Sequence, residues 1–329
     1  MNIHFWGVRG SIPTPVSPAK LKSKISAIIE QITPEDLESA ESRELFLSEL
    51  PPWLSGTVGG NSSCVSVTFD NPPKSSLAEP ESGGVFPSDE CIVFDCGSGI
   101  REMGIAHISE KRGINQYHIF MSHFHWDHIQ GLPFFIPAYN PAVNINFYSP
   151  VASLEKILSD QMVSPYFPVP ISVMGSRKKF IYLENDINLY GHTVKIKKMN
   201  HPGGSYAYCI NDNGKRLIYA TDIELTSGDF LKNEENTSFF KDADLIIIDC
   251  QYTLGEAIEK YNWGHSAFSL AVDFAANWNI KRMVMFHHDP AYDDHKLYSL
   301  LQTARWYLER MNLKKIELIM ACEGLEISL

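Results

Sequence analysis

The chain has 329 residues, with 28 Lys and Arg against 39 Asp and Glu, a formal net charge of -11 and a pI near 5.5. That length can bury a large core in one unit, while the acidic balance tilts against non-specific nucleic-acid binding, which draws on a basic footprint. No run reaches the roughly 18 apolar residues of a membrane span, and the opening Met1-Asn2-Ile3-His4-Phe5-Trp6 lacks the pattern of a secretory signal, so a soluble protein of the cytoplasm is expected.

In chain order, Ile3 to Val8 reads as a buried strand that ends in the turn Gly7-Val8-Arg9-Gly10-Ser11. From about Ser17 to Trp53 the pattern becomes helical. Leu21, Ile25, Ile28, Ile29 and Ile32 recur at three- and four-residue intervals until Pro34, and a second helix is expected from Glu35 to Leu50, ended by Pro51-Pro52. A strand follows at Ser63 to Phe69, and the Pro/Ser/Gly/Glu-rich stretch Asn71 to Glu90 reads as a mobile loop. Cys91-Ile92-Val93-Phe94 is another buried strand, ending at Asp95 ahead of a helix near Ile100.

Next comes the strand-like Tyr117 to Ser122, followed at once by His123-Phe124-His125-Trp126-Asp127-His128. Alternate side chains of an extended segment share a face, so His123 and His125 can grip one ion. A turn after His125 would aim Asp127 and His128 at a second position. Imidazoles and carboxylates are ligands for zinc, manganese or iron. Three further candidates each follow an apolar run: His201 after Val194 to Met199, Asp222 after Leu217 to Thr221, and His287 after Met283 to Phe286. Helices are expected at Ala267 to Asn277 and Leu297 to Arg310. The six cysteines (Cys64, Cys91, Cys96, Cys209, Cys250, Cys322) form no C-x-x-C pair and read as reduced, mostly buried thiols.

The run His-x-His-x-Asp-His, with those partners in order, resembles the metallo-β-lactamase superfamily, and the likeness spans nearly the whole chain. It implies an α/β (α+β) fold, a four-layer αββα sandwich over 1–329 as a single domain, with an N-terminal helical insertion at about 17–53. Two strand-rich halves agree with two facing sheets between outer helices. Related chains pass more directly from the opening strand to a turn such as Gly59-Gly60-Asn61, which is why the helical stretch reads as an insertion: a lid, an oligomer contact in a homodimer, or a hairpin packed on the outside. The resemblance further implies one ion on His123, His125 and His201, a second on Asp127, His128 and His287, and Asp222 bridging both. Zinc is the expected metal, with manganese or iron as alternatives. His287 is preferred over His288 because it directly follows the strand, which leaves His288 as an outer partner or a surface residue. Asp95 would support the histidine loop through a hydrogen bond.

Two neighbouring ions activate water and neutralise charge on the group attacked, so no serine or cysteine nucleophile is needed. Asp127 would both hold an ion and orient that water. The segment Asp244 to Tyr252, with Trp263-Gly264-His265-Ser266, resembles the phosphodiesterase branch that includes ribonuclease Z and cyclic-phosphate phosphodiesterases. There His265, paired with Asp249, would bond a phosphate oxygen and protonate the leaving alkoxide. Ser266 is a further candidate substrate contact, and Arg9 is either a contact for a phosphate or carboxylate or a structural salt-bridge partner. Ribonuclease Z-like chains carry His-Glu where this one has Ile248-Asp249, a departure in detail. The only basic run between Asp127 and His201, Ser176-Arg177-Lys178-Lys179, reads as a solvated loop. A small phosphodiester or cyclic nucleotide is therefore expected over tRNA. The alternatives are an iron-dependent thiol or persulfide oxidising enzyme of the same fold and a non-hydrolytic metal-bearing scaffold.

Overall fold

Side-chain alternation along the strands assigns each residue to one of three apolar layers. The structure, a computed structural model, describes residues 1–69, 89–313 and 315–329, and the loop expected at 71–90 falls almost wholly outside them. The strands are β1 (Asn2–Gly7), β2 (Cys64–Thr68), β3 (Glu90–Phe94), β4 (Gln116–Phe120), β5 (Asn144–Ser149), β6 (Arg177–Tyr182), β7 (Ile187–Leu189), β8 (His192–Met199), β9 (Ser205–Asp212), β10 (Lys215–Ala220), β11 (Leu245–Asp249), β12 (Arg282–Phe286), β13 (Glu317–Met320) and β14 (Glu326–Ser328). Among the described residues they form two seven-stranded sheets, ordered β14-β1-β2-β3-β4-β5-β6 and β13-β12-β11-β10-β9-β8-β7.

The sheets face each other across an inner core. Phe5, Phe94 and Phe120 from one meet Tyr219, Leu245, Ile247 and Phe286 from the other, with the Phe94 and Tyr219 rings stacked at 4.7 Å. On β11, Leu245 and Ile247 point inward while Ile246 and Ile248 join the outer layer with helices Phe268–Asn277 and Asp294–Arg310. Helix Gly99–Ser109 covers the other sheet, where Ile100 and Met103 pack with Val93 and Ile119. Each such side chain, fully buried, contributes about 1.5–3 kcal/mol. The result is the expected four-layer αββα sandwich.

This topology positions the site. β3 and β4 run parallel, as do β10, β11 and β12, so their carboxyl ends open on one edge. Asp95, Asp222 and His287 emerge just past β3, β10 and β12, and all three take left-handed backbone angles (φ 61°, 49° and 60°). Such angles cost a non-glycine residue energy and persist where the surrounding structure holds them.

The N-terminal helical stretch exists, with shifted boundaries. Helix Pro18–Ile29 begins at a Ser17 cap, and the second expected helix is split into a 3-10 turn, Glu35–Leu37, and helix Ala40–Glu49. Ser39 accounts for the split, since its hydroxyl accepts from Ser42 N–H and starts a new helix. Leu21, Ile25 and Ile29 remain exposed, and no residue of either helix is buried. Lys24 anchors the first helix to Asp294 and to the carbonyl of Gly56. A second correction concerns the basic run at 176–179. Arg177, Lys178 and Lys179 open β6 at the end of a sheet, where charged side chains blunt an otherwise sticky edge. Of the free cysteines, five are buried and Cys322 is partly so. Among the described residues no helix is long and apolar enough to cross a membrane.

Candidate metal centre

The seven residues singled out as metal ligands meet at the strand ends. His123, His125, His201 and Asp222 form one group, and Asp127, His128, Asp222 and His287 another, each with one donor atom per residue lying within 4.8 Å of the others. Asp222 belongs to both through different oxygens. Its Oδ1 lies 3.1 Å from both His128 Nε2 and His287 Nε2, and its Oδ2 lies 3.5 Å from His123 Nε2 and 3.8 Å from His201 Nε2. His201 Nε2 is 3.0 Å from His125 Nδ1, and Asp127 Oδ2 is 3.1 Å from His287 Nε2 and 3.3 Å from His128 Nε2.

This donor set fits cations better than protons. His123 Nε2 is buried and makes no hydrogen bond, which costs a few kcal/mol for a polar atom unless something occupies the gap. His128 and His287 face each other through Nε2 atoms at 3.4 Å. Burial, then the neighbouring imidazolium charge of His128, holds His123 well below the usual histidine range, and burial also lowers His125 and His201. These three are therefore neutral, the ligand form; His128 differs, since Asp222, Asp127 and Asp95 overcome its burial and raise it, so a cation there would displace its proton. Burial disfavours charge on Asp127 and Asp222, but the surrounding histidines overcome it and hold both carboxylates well below their ordinary range.

The opposite ring nitrogens are fixed from behind. His128 Nδ1 lies 2.8 Å from Asp95 Oδ2, and Asp95 also accepts from Ser122 N–H, the Ser122 hydroxyl and the Tyr219 hydroxyl. Asp95 thus ties β3, β4 and β10 together beneath the histidine loop. His201 Nδ1 donates to the Gly264 carbonyl at 2.8 Å, and His287 Nδ1 meets Gln251 Oε1 at 3.0 Å. Such partners select the tautomer that leaves Nε2 free for a metal.

His265 and Asp249 are adjacent to this centre. His265 Nδ1 sits 2.6 Å from Asp249 Oδ2, and Asp249 Oδ1 accepts from the backbone N–H groups of Gln251 and Ser266. Burial disfavours a charged ring, but Asp249 prevails and His265 is pushed up to about 9. The cleft above, about 370 Å³, is lined by His125, Asp127, Asp222 and His287 together with Ser11, His265, Phe124 and Trp126. No residue of 17–53 lines it.

Two expected substrate contacts lie elsewhere. Arg9 is buried, with its guanidinium donating to the carbonyls of Gly59, Asp289 and Tyr292 and 3.9 Å from Asp294. It holds the opening loop to the second sheet and does not reach the cleft. Ser266 is likewise engaged, its hydroxyl donating to the Ile223 carbonyl and accepting from Leu225 N–H. His288 is not a surface residue. It is buried, its Nε2 donates to the Ala321 carbonyl, and burial lowers it to about 3.

A family model described as a beta-lactamase superfamily domain matches residues 91–288, which cover β3 to His288 and contain every residue of both donor groups. The chain belongs to the beta-lactamase superfamily. Its likeness to the phosphodiesterase branch also extends to whole relatives. A ribonuclease Z of Picrophilus torridus is 27% identical over 288 residues, 69% of this chain and 88% of that one. Among solved structures, Zn(2+)-bound PqqB from Methylobacterium extorquens superposes with a TM-score of 0.62 at 14% identity over 100% of both chains. A diphosphatase of the PhnP family does so at 0.58 and 16% identity, over 100% of this chain and 97% of that one. At those identities the solved structures show the shared fold.

Within this superfamily frame, several residues that shape the centre escaped the sequence reading. Ser11 N–H donates to Asp127 Oδ2 at 2.7 Å. Gly10 lies so close to His287 that a Cβ would meet the ring at 2.5 Å, and at Gly264 (φ +91°) a Cβ would meet His201 Nδ1 at 2.2 Å. Glu224 accepts from the N–H groups of Asn262 and Gly264 and so fixes the loop that carries His265. Glycine before a candidate histidine, as in Gly264-His265, was the one signal available in sequence.

Proposed function

We propose that the protein is a metal-dependent phosphodiesterase acting on a small or cyclic phosphodiester. The arrangement that carries this reading is the His265–Asp249 pair beside two donor groups that share Asp222. His123, His125 and His201 would hold one divalent cation, Asp127, His128 and His287 a second, and Asp222 would bridge them, with zinc the first choice for nitrogen-rich ligands of this kind. When bound, such a pair of cations activates water and neutralises phosphate charge.

The chain's own residues supply the rest. Asp127 is held ionised, oriented by Ser11 N–H at 2.7 Å, and it lines the cleft, so it can accept a hydrogen bond from the attacking water. His265 also lines the cleft, and Asp249 takes its Nδ1 at 2.6 Å. The proton on its Nε2 is then available to a non-bridging phosphate oxygen, and afterwards to the departing alkoxide. A small substrate fits better than tRNA because none of the eight cleft-lining residues is Lys or Arg, whereas a long polyanion is gripped through many basic contacts. Placement in the cytoplasm, where nucleotide diesters arise, belongs to the same reading.

The test is hydrolysis of bis(p-nitrophenyl) phosphate and 2′,3′-cyclic nucleotides by protein loaded with zinc or manganese. Turnover that drops on the order of a hundred-fold in His265→Ala, within the usual contribution of a general acid, with metal content retained, supports the reading. Full turnover in His265→Ala removes the acid role from His265, and no turnover by the loaded wild type removes the phosphodiesterase.

A further inference from the structure

The metal centre accounts for the polar residues of the cleft, and Phe124, partly buried, packs against the outer core of the first sheet, which leaves Trp126 unexplained. Of the eight lining residues, Ser11, His125, Asp127, Asp222, His265 and His287 are polar and converge on the centre, and Phe124 and Trp126 make the apolar wall. Trp126 is 82% exposed. It opens the short helix Trp126–Ile129, in which the next three residues, Asp127, His128 and Ile129, are all buried. The chain geometry that turns Asp127 and His128 inward therefore leaves the indole at the mouth, flanked by His125 and Asp127 in sequence.

A single exposed apolar side chain on a protein surface needs no explanation. This one differs by its place, because it lines the cleft in which the reacting phosphate would sit. A large planar π-face in water beside a charged centre is what stacks a nucleobase without reading its identity.

We propose that Trp126 is a stacking platform for a planar aromatic group on the substrate, which makes a nucleotide diester the preferred class over an aliphatic one. The inference rests on the phosphodiesterase reading for the reacting group and adds a contact for the non-reacting part. Among the described residues no Lys or Arg lines the cleft, so recognition beyond the phosphate falls to the indole. Trp126 is a specificity residue and takes no part in proton transfer.

The test compares metal-loaded wild type, Trp126→Ala and Trp126→Phe on two substrates, 2′,3′-cyclic adenosine monophosphate and an aliphatic cyclic phosphate of glycerol. Loss of one base stack predicts that Trp126→Ala lowers kcat/KM for the nucleotide roughly ten-fold more than for the aliphatic diester, about 1.4 kcal/mol, and that Trp126→Phe restores most of the difference. Metal content read by elemental analysis separates this from damage to the neighbouring ligands. A second readout needs no turnover: calorimetric binding of adenosine monophosphate weakens roughly ten-fold in Trp126→Ala. If diesters are hydrolysed but Trp126→Ala changes both substrates equally and leaves nucleotide affinity intact, the platform is overturned and the reaction stands. If no diester is hydrolysed yet nucleotide affinity still depends on the indole, the reaction fails and the platform stands.

Discussion

The backbone N–H of Ser11 donates to Asp127 Oδ2 at 2.7 Å, across 116 positions of sequence. The same carboxylate oxygen lies 3.1 Å from His287 Nε2. The opening loop is therefore part of the centre: Gly10 backs the His287 ring, and Gln251, whose Oε1 orients His287, reaches towards the Ser11 hydroxyl at 3.5 Å.

Gly10→Ala should damage the centre by steric contact alone, since the added Cβ would stand 2.5 Å from the His287 ring. Overpacking of this kind costs about 1–3 kcal/mol. The expected result is a lower melting temperature together with loss of the cation that His287 is proposed to hold, measured by calorimetry and elemental analysis. Wild-type values for both would mean that the loop and His287 do not touch.

Gln251→Leu removes the acceptor on His287 Nδ1 while roughly keeping the volume. Partners of this kind typically change metal affinity ten- to a hundred-fold. Competition with a chelator should show one of the two proposed cations weakened by about that factor and the other little affected.

Much of this site was legible because strands buried on both faces appear in sequence as continuous apolar runs. Leu245 to Ile248 and Met283 to Phe286 are such runs, and the residue that follows each one sits at a strand end by necessity. What stayed hidden acts through backbone or over long separations. Ser11 contributes only an N–H, Gln251 contacts a loop 240 positions away, and Glu224 holds two backbone N–H groups, so none leaves a local pattern. Arg9 stayed open between a substrate contact and a structural partner for the same reason, and the structure bears out the second. A cation at a strand end suggests an anionic ligand, whereas the carbonyls of Gly59 and Tyr292 that bind it are brought there by the fold.

The pH dependence of turnover should carry the mark of His265. Burial opposes its charge, but Asp249 raises it to about 9 in the protein alone, and cations nearby would lower that. A proton donor is present below its pKa and lost as pH rises through it, so kcat/KM should fall on the alkaline side. In His265→Ala that alkaline limb should vanish along with most of the rate. An unaltered limb in the variant would assign it to another group.

A second pH effect concerns stability. His107 is buried, with Nδ1 3.1 Å from the Tyr117 hydroxyl, and burial followed by the Arg112 charge lowers it to about 4. The unfolded chain, with an ordinary histidine near 6.5, binds the proton first. The stability due to neutral His107 is thus complete above about 6.5 and is lost as pH falls towards 4, a change of at most roughly 3 kcal/mol. Urea unfolding should show His107→Gln with a shallower loss over that window. Parallel curves for the two proteins would contradict it.

The central claim is that two cations share Asp222, and equilibrium dialysis against zinc or manganese addresses it most directly. The account predicts close to two ions per chain for the wild type and one or none, weakly held, for Asp222→Ala. Uptake of only trace metal by the wild type, or an Asp222→Ala chain that still binds two ions as tightly, would contradict it.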